Sequence, residues 1–288
     1  MKDQAVRIVS KTIRYIEDHL DNKLELERVA AALHYSKYHL HRIFAKTVGL
    51  TIHDYVQRRQ LTEAAKLLAF SKKPILEIAL ISGYESQQAF AGIFKAMYKM
   101  TPAQFRAAKE FYPLQLEIQL AWESVKKSFN KKDIQFAAVS DIGDWMELVS
   151  LTIDGYPCLN ESEYLEKLCQ YISAKEALIL RHEGMAIGAM GFSMKTGSID
   201  FLAIHPQYRK LGITKLFLEK LAEELLCQRE ISLTTYRAGD KADTGYREEY
   251  FRLGFVEREL LVEYGYPTQR FVLPLRHREE MDHDANAE

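Results

Sequence analysis

PILEIALISGYESQQAFAGIFKAMYKMTPAQFR, Pro74 to Arg106, is the stretch that decides how the first third of this chain folds. Ile75, Ile78 and Ala79 mark one helical face, and Gly83-Tyr84 breaks the pattern. A second helix opens near Ser86, with Phe90, Ile93, Phe94 and Met97 at the i, i+3, i+4, i+7 spacing of a buried stripe. Its opposite face carries Gln87, Gln88, Ala91 and Lys95, small or hydrogen-bonding residues. Two short helices joined by a glycine turn, the second with an amide-rich outer face, describe a helix-turn-helix.

The same unit occurs earlier. An offset of 50 matches Ser36 to Ser86, Leu40 to Phe90, Phe44 to Phe94, Thr51 to Thr101 and Tyr55 to Phe105, while the preceding helix matches at 49, Ala30 to Ala79. In this first copy Leu26, Val29, Ala30 and Leu33 form one face, and His34-Tyr35 interrupts it. Ser36 is a good N-cap for the next helix. That helix has expected buried positions Leu40, Ile43, Phe44 and Thr47 and an outer face of Lys37, Tyr38, His41, Arg42 and Ala45. An amphipathic helix with Ile8, Ile13, Ile16 and Leu20 precedes the pair, and a long helix near 52–69 separates the copies. A rigid spacer holding two recognition helices about 34 Å apart lets one chain read two successive major grooves.

These residues, with the trailing Thr101-Pro102 and Phe105-Arg106, resemble the double helix-turn-helix of the AraC/XylS transcription regulators over about residues 5–108. By position the resemblance implies that Tyr38, His41 and Arg42 face DNA from the first recognition helix and Gln87 and Gln88 from the second; Lys37 and Lys95 complete the candidate set. Arg pairs with guanine and Gln with adenine. Several members of that family carry Arg where this chain has Gly92, which implies fewer bases read by the second helix. Charge agrees with a polyanion partner: residues 1–109 hold 18 Lys and Arg against 10 Asp and Glu, whereas the remaining 179 hold 21 against 30.

Composition excludes other classes. No run of 18 apolar residues exists, and MKDQAVRIVS lacks the apolar core of a signal peptide, so the cytoplasm is expected and a membrane is not. Cys158, Cys169 and Cys227 are scattered and odd in number, which predicts buried reduced thiols rather than disulfides or zinc. His34, His39, His41 and His53 fall on different helix faces, and no metal is expected.

Residues 109–132 read as a joint. Leu114, Ile118 and Trp122 share one face of a predicted linker helix, which fades into Lys126, Lys127, Lys131 and Lys132. From 133 to 275 the pattern is mixed α/β: a strand over 134–139, helices over 142–151 and 161–172, paired strands over 177–181 and 186–194, and a further strand over 198–204. The loop Gln207-Tyr208-Arg209-Lys210-Leu211-Gly212-Ile213-Thr214 then runs into a helix over 215–228. Such a loop from strand to helix presents backbone N–H groups at a helix N-terminus, a pyrophosphate cradle. A strand over 231–236 and the motif Tyr250-Phe251-Arg252-Leu253-Gly254-Phe255 follow, and 276–288 is a charged tail.

Residues 133–275 resemble the GNAT acetyltransferases. Arg209, Lys210, Leu211, Gly212, Ile213 and Thr214 look like the acyl-CoA loop, with Thr214 departing from the usual Gly or Ala. The resemblance implies that Leu202, Ala203 and Ile204 pair with pantetheine through their backbone and that Tyr250 is the acid protonating the leaving thiolate. For the base, Asp200 alternates with Ser198 and Leu202; Asp240 and Asp243 are a second carboxylate pair.

The expected architecture is therefore multidomain: an all-α double helix-turn-helix over 1–108, a linker over 109–132, and an α/β GNAT domain with a mixed sheet over 133–275. The expected partners are double-stranded DNA and acetyl-CoA. Three roles stand side by side for the second half: an amine acetyltransferase, an acyl-CoA or ligand sensor without turnover, and an interaction domain supporting dimerisation or RNA polymerase contact. Oligomeric state stays open.

Overall fold

Two compact units make up the computed structural model, one of residues 1–126, 150–159 and 206–210 and the other of residues 127–149, 160–205 and 211–288. The structure describes residues 2–120, 128–152, 161–209, 211–263 and 265–275. The first unit is helical: α1 (Lys2–Glu17), α2 (Leu26–Ala32), α3 (Lys37–Val48), α4 (Ile52–Phe70), α5 (Ile75–Ile81), α6 (Gln87–Tyr98) and α7 (Pro102–Ala108).

The internal repeat extends to the helix ends. Ser36 and Ser86 cap α3 and α6, their hydroxyls accepting from His39 N at 3.3 Å and Ala89 N at 3.2 Å. Thr51 and Thr101 cap α4 and α7, accepting from Asp54 N at 3.1 Å and Gln104 N at 3.3 Å. Both helix-turn-helix turns close as Schellman motifs. Tyr35 N donates to Ala30 O at 2.9 Å and His34 N to Ala31 O at 3.1 Å; in the second copy Tyr84 N donates to Ala79 O at 3.0 Å and Gly83 N to Leu80 O at 3.1 Å. The left-handed position of the turn is His34, φ 59°, in one copy and Gly83, φ 79°, in the other.

Leu40, Phe44 and Val48 are the buried positions of α3, so Val48 takes the place predicted for Thr47. Ile43 and Thr47, also expected to be buried, are half-buried, and Gly49 caps the end of α3. α4, 19 residues and about 28 Å long, also buries Arg58, Arg59 and Gln60. Arg59 bonds to Glu17 through both carboxylate oxygens and to Glu63, and Tyr55 donates to the same Glu17 at 2.8 Å.

The predicted linker helix is absent from the described part of the joint: residues 110–120 carry no helix. Side chains of α4 take the backbone bonds that a helix would make internally. Thr62 Oγ1 accepts from Leu114 N at 3.0 Å and Gln115 N at 3.1 Å, and Arg59 Nη1 donates to Gln115 O at 3.0 Å. Ile118 and Leu120 enter the core of the first unit. Trp122, Lys126 and Lys127 lie outside the described residues, and Lys131 pairs with Glu223.

The second unit holds β1 (Ile134–Phe136), α8 (Ile142–Thr152), α9 (Glu161–Ala174), β2 (Ala177–His182), β3 (Met185–Phe192), β4 (Ser198–Ile204), α10 (Ile213–Lys220), β5 (Ile231–Tyr236), α11 (Tyr246–Arg252), β6 (Val256–Glu263) and β7 (Tyr266–Leu273). The strands form one mixed sheet in the order β1-β2-β3-β4-β5-β7-β6, antiparallel except for β4 beside β5. The strands of the last hairpin, β6 and β7, were not among those predicted. The helix predicted over 215–228 is shorter, because α10 passes into a π-turn at Leu221–Leu225. Gly188 and Gly191 of β3, three residues apart and so on opposite faces, receive Phe217 of α10 and Tyr171 of α9. The sheet therefore has α10 on one face and α9 on the other. Cys169, on α9, and Cys227, in the turn after the π-turn, are exposed, against the expected burial; Cys158 lies outside the described residues.

Candidate functional site

In the first unit the caps orient α3 and α6 so that their apolar stripes face inward and the predicted readers outward. Tyr38, His41, Arg42, Gln87, Gln88 and Lys95 are exposed, Tyr38 at 79%. Lys37 is half-buried and engaged: its Nζ lies 3.0 Å from Glu27 and 5.3 Å from the Tyr38 ring centroid. Glu27 raises the Lys37 pKa through a hydrogen bond and its charge, so this lysine is positive at any physiological pH. Gly92 is exposed, and a Cβ there would meet nothing within 4 Å.

In the second unit the site begins where two parallel strands stop pairing. β4 pairs with β3 from Phe192–Ile199 to Gly188–Ile204, but with β5 only at Ser198–Ser232 and Ile199–Leu233. Beyond Ile199, β5 turns its pairing to β7 alone. Leu202, Ala203 and Ile204 thus line the open side of a notch with no β5 partner among the described residues. In chain order after β4, a 3₁₀ turn at Pro206–Tyr208 and Arg209 group with the first unit, and Gly212 of the second unit heads α10. Lys210 lies outside the described residues. Ile213 and Thr214 are buried. Leu216 N donates to Gly212 O at 3.2 Å, and the amides of a helix's first turn lack intrahelical partners as a rule. Gly212 is left-handed at φ 71°, and a Cβ on it would project into open space.

Asp200 stands at the mouth of this notch on a β-bulge. Phe201 pairs with Gly191 and Ile199 with Phe192, leaving Asp200 as the extra residue. A bulge re-aims a side chain, and the simple alternation of Ser198, Asp200 and Leu202 expected from the sequence does not hold through it. The Asp200 carboxylate accepts a hydrogen bond from the Tyr171 hydroxyl on α9, and Lys167 Nζ lies 3.9 Å away. Burial, then this bond, pushes the Tyr171 phenol well above its ordinary pKa, so it remains a donor. Phe201, Tyr164 and Trp145 continue the cluster, with ring centroids 5.5 and 5.9 Å from Phe201 and Trp145 Nε1 donating to the Tyr164 hydroxyl at 2.9 Å. Tyr171 and Lys167 carried no signal in the sequence, since only tertiary folding brings α9 over the bulge.

The Tyr250-to-Phe255 motif has a local explanation. Phe255 N donates to Tyr250 O at 3.0 Å and Gly254 N to Phe251 O at 3.0 Å, with Gly254 at φ 88°. This is a Schellman motif, and its usual apolar contact is the Tyr250–Phe255 ring pair, centroids 5.6 Å apart. Tyr250 is 7% exposed, and helix capping accounts for the placement of its ring. Arg247, one turn earlier, donates to Tyr236 O at 2.7 Å and Gln269 Oε1 at 2.9 Å and so fixes α11 against β5 and β7. Asp240 and Asp243 serve the loop: Asp240 accepts from Tyr266 at 3.1 Å, and Asp243 accepts from Gly245 N and Tyr246 N at 3.0 and 2.9 Å.

Comparison with known proteins matches each half separately. Residues 29–108 match the helix-turn-helix domain family and residues 145–255 the acetyltransferase (GNAT) family. The HTH-type transcriptional regulator YbfP of Bacillus subtilis is 32% identical over 165 residues, 50% of this chain and 56% of YbfP, so the chain spans about half of that relative. Regulatory protein SoxS of Escherichia coli is 36% identical over 100 residues, 35% of this chain and 94% of SoxS. An acetyltransferase of the GNAT family from Bacillus cereus superposes with TM-score 0.39 at 12% identity, covering 48% of this chain and 94% of that one. The chain belongs to the AraC-type helix-turn-helix transcription regulators and carries a domain of the GNAT acetyltransferase family on the same polypeptide.

Proposed function

We propose that this regulator binds duplex DNA through Lys37, Tyr38, His41 and Arg42 of α3 and Gln87, Gln88 and Lys95 of α6, and that its second domain binds acetyl-CoA and acetylates an amine. The observation that carries the second part is the break in β4–β5 pairing, with Gly212 following in the chain at the head of α10. Leu202, Ala203 and Ile204 would hold the pantetheine arm by backbone bonds. The α10 amides, with Arg209, Lys210 and Leu211 leading to them, would hold the pyrophosphate. Open space beyond Gly212 fits an anion that any side chain there would displace.

Acetyl-CoA supplies the acyl thioester. Asp200 accepts a proton from the incoming ammonium, and the Tyr250 hydroxyl delivers one to the departing sulfur as the new C–N bond replaces C–S. A second reading is favoured by the occupied state of these groups: Tyr250 is a capping residue and Asp200 is bonded to Tyr171. On that reading the domain senses acyl-CoA without turnover.

One set of variants tests both. Gly212→Glu adds bulk and a like charge and should abolish acetyl-CoA binding while the fold survives; equal binding by wild type and variant sinks the loop assignment. Tyr250→Phe preserves the ring contact. It should keep acetyl-CoA binding and lower acetyl transfer about 10²–10⁴-fold if the hydroxyl is the acid. Unchanged turnover makes the tyrosine structural, and absence of turnover in the wild type favours the sensor.

A further inference from the structure

The notch reading leaves the acyl acceptor unassigned, and the cluster at Asp200 bears on it. Lys167 Nζ lies 3.9 Å from Asp200 Oδ2 and 5.4 Å from the centroid of the Tyr171 ring. The Tyr171 hydroxyl donates to the same carboxylate. A carboxylate beside an aromatic face is the pair of groups that recognises an alkylammonium, the first by charge and the second through its ring quadrupole. Here an ammonium on a four-carbon stem, the chain's own lysine, already stands there.

That occupant is loosely held. The separation of 3.9 Å exceeds hydrogen-bond reach, and the two side chains keep 49% and 28% of their surface in solvent. Pairs so exposed contribute little and are readily exchanged. The location matters equally, because Asp200 is the first residue beyond the last β4–β5 pair, at the point where the notch opens.

We propose that Asp200 and Tyr171 form the acceptor pocket for a primary alkylammonium, and that Lys167 is an internal occupant which the acceptor displaces. The proposal deepens, and rests on, the reading of the second domain as an amine acetyltransferase. The pocket selects amines over alcohols and thiols because only an ammonium satisfies both the carboxylate and the ring. Lys167 then sets acceptor affinity by competing for the same position.

The test is ligand-observed NMR titration of the full chain with butylammonium, using butanol as the uncharged twin and no acetyl-CoA. Butylammonium should bind and butanol should not. Lys167→Met should tighten butylammonium binding about two- to fivefold, the range expected from removing an exposed ionic competitor. Asp200→Asn should remove binding. Lys167→Gln, polar and uncharged, is the second variant should the first unfold, and thermal melts of all preparations check folding. Unchanged or weaker binding in the folded Lys167 variants overturns the proposal, as does binding that survives in Asp200→Asn. A separate acetyl-CoA titration keeps the two readings apart. Acetyl-CoA binding without amine binding overturns the acceptor pocket alone; Asp200-dependent amine binding without acetyl-CoA binding supports the pocket and sinks the notch.

Discussion

A Cβ built on Gly83 would lie 2.6 Å from Nε2 of Gln60, the amide that donates to Leu20 O at 3.0 Å and Asn22 O at 2.9 Å. The turn of the second helix-turn-helix is thereby seated against the α1–α2 connection of the first, with the middle of α4 between them. Asn22 O itself would lie 2.8 Å from that Cβ, and backbone cannot yield as a side-chain tip can.

Gly83→Ala should therefore destabilise the first unit by at least about 2 kcal/mol, from the left-handed conformation and the clash together. His34 holds the corresponding place with φ 59°. His34→Gly should be neutral or stabilising, since it relieves an unfavourable φ at some cost in chain entropy. Urea unfolding of both variants checks this, and equal losses would mean that the two turns are not equivalent.

A fragment ending at residue 108 should be less stable than one ending at 120. Leu114, Ile118 and Leu120 are 0%, 3% and 8% exposed, and their loss uncovers apolar surface worth about 4 kcal/mol or more. It also strips Thr62 and Arg59 of their bonds to Leu114 and Gln115. Parallel melts of the two fragments decide the matter; coincident curves would show that the joint adds nothing.

Arg42→Ala and Gln88→Ala should each weaken operator binding by about 1–3 kcal/mol, with a much smaller effect of the Gln88 variant on random DNA. Glu27→Gln should act in the opposite sense, strengthening binding to any duplex, because it releases Lys37 from its carboxylate partner. The salt dependence should steepen by up to about one phosphate contact. Titrations at several salt concentrations would refute the arrangement if Glu27→Gln bound more weakly.

Alkaline pH should unfold the protein with its buried phenols still protonated. Tyr55, Tyr84, Tyr98 and Tyr164 are all raised above the ordinary 10.0, burial being the largest cause in each. A raised phenol contributes stability that is complete below pH about 10 and is lost as pH rises beyond the unfolded value. Absorbance of phenolate should climb in a step that coincides with the loss of helical circular dichroism. A smooth, non-cooperative titration at pH about 10 would show these rings to be solvated.

The helix-turn-helix pairs could be read from local pattern because each depends on neighbours in the chain. Ser36 and Ser86 need only the next turn to cap, and the Phe90, Phe94 and Met97 stripe needs only helical periodicity. The strands of the central sheet were legible for the same reason, and the loop at Gly212 was visible as a glycine opening a helix. What folded differently depended on contacts distant in sequence. Residues 110–120 have an amphipathic spacing suited to a helix, yet Thr62 and Arg59 supply backbone partners from more than 50 residues away. Asp200 alternates correctly on paper, but the bulge against Gly191 and Phe192 shifts it by one place. Its neighbours Tyr171 and Lys167 arrive from another helix. Local sequence determined where the capped helices of the first unit begin, because capping and periodicity act within a few residues. Tertiary packing decided the course of the joint and the company of Asp200, because hydrogen bonds satisfied across elements override the pattern within one.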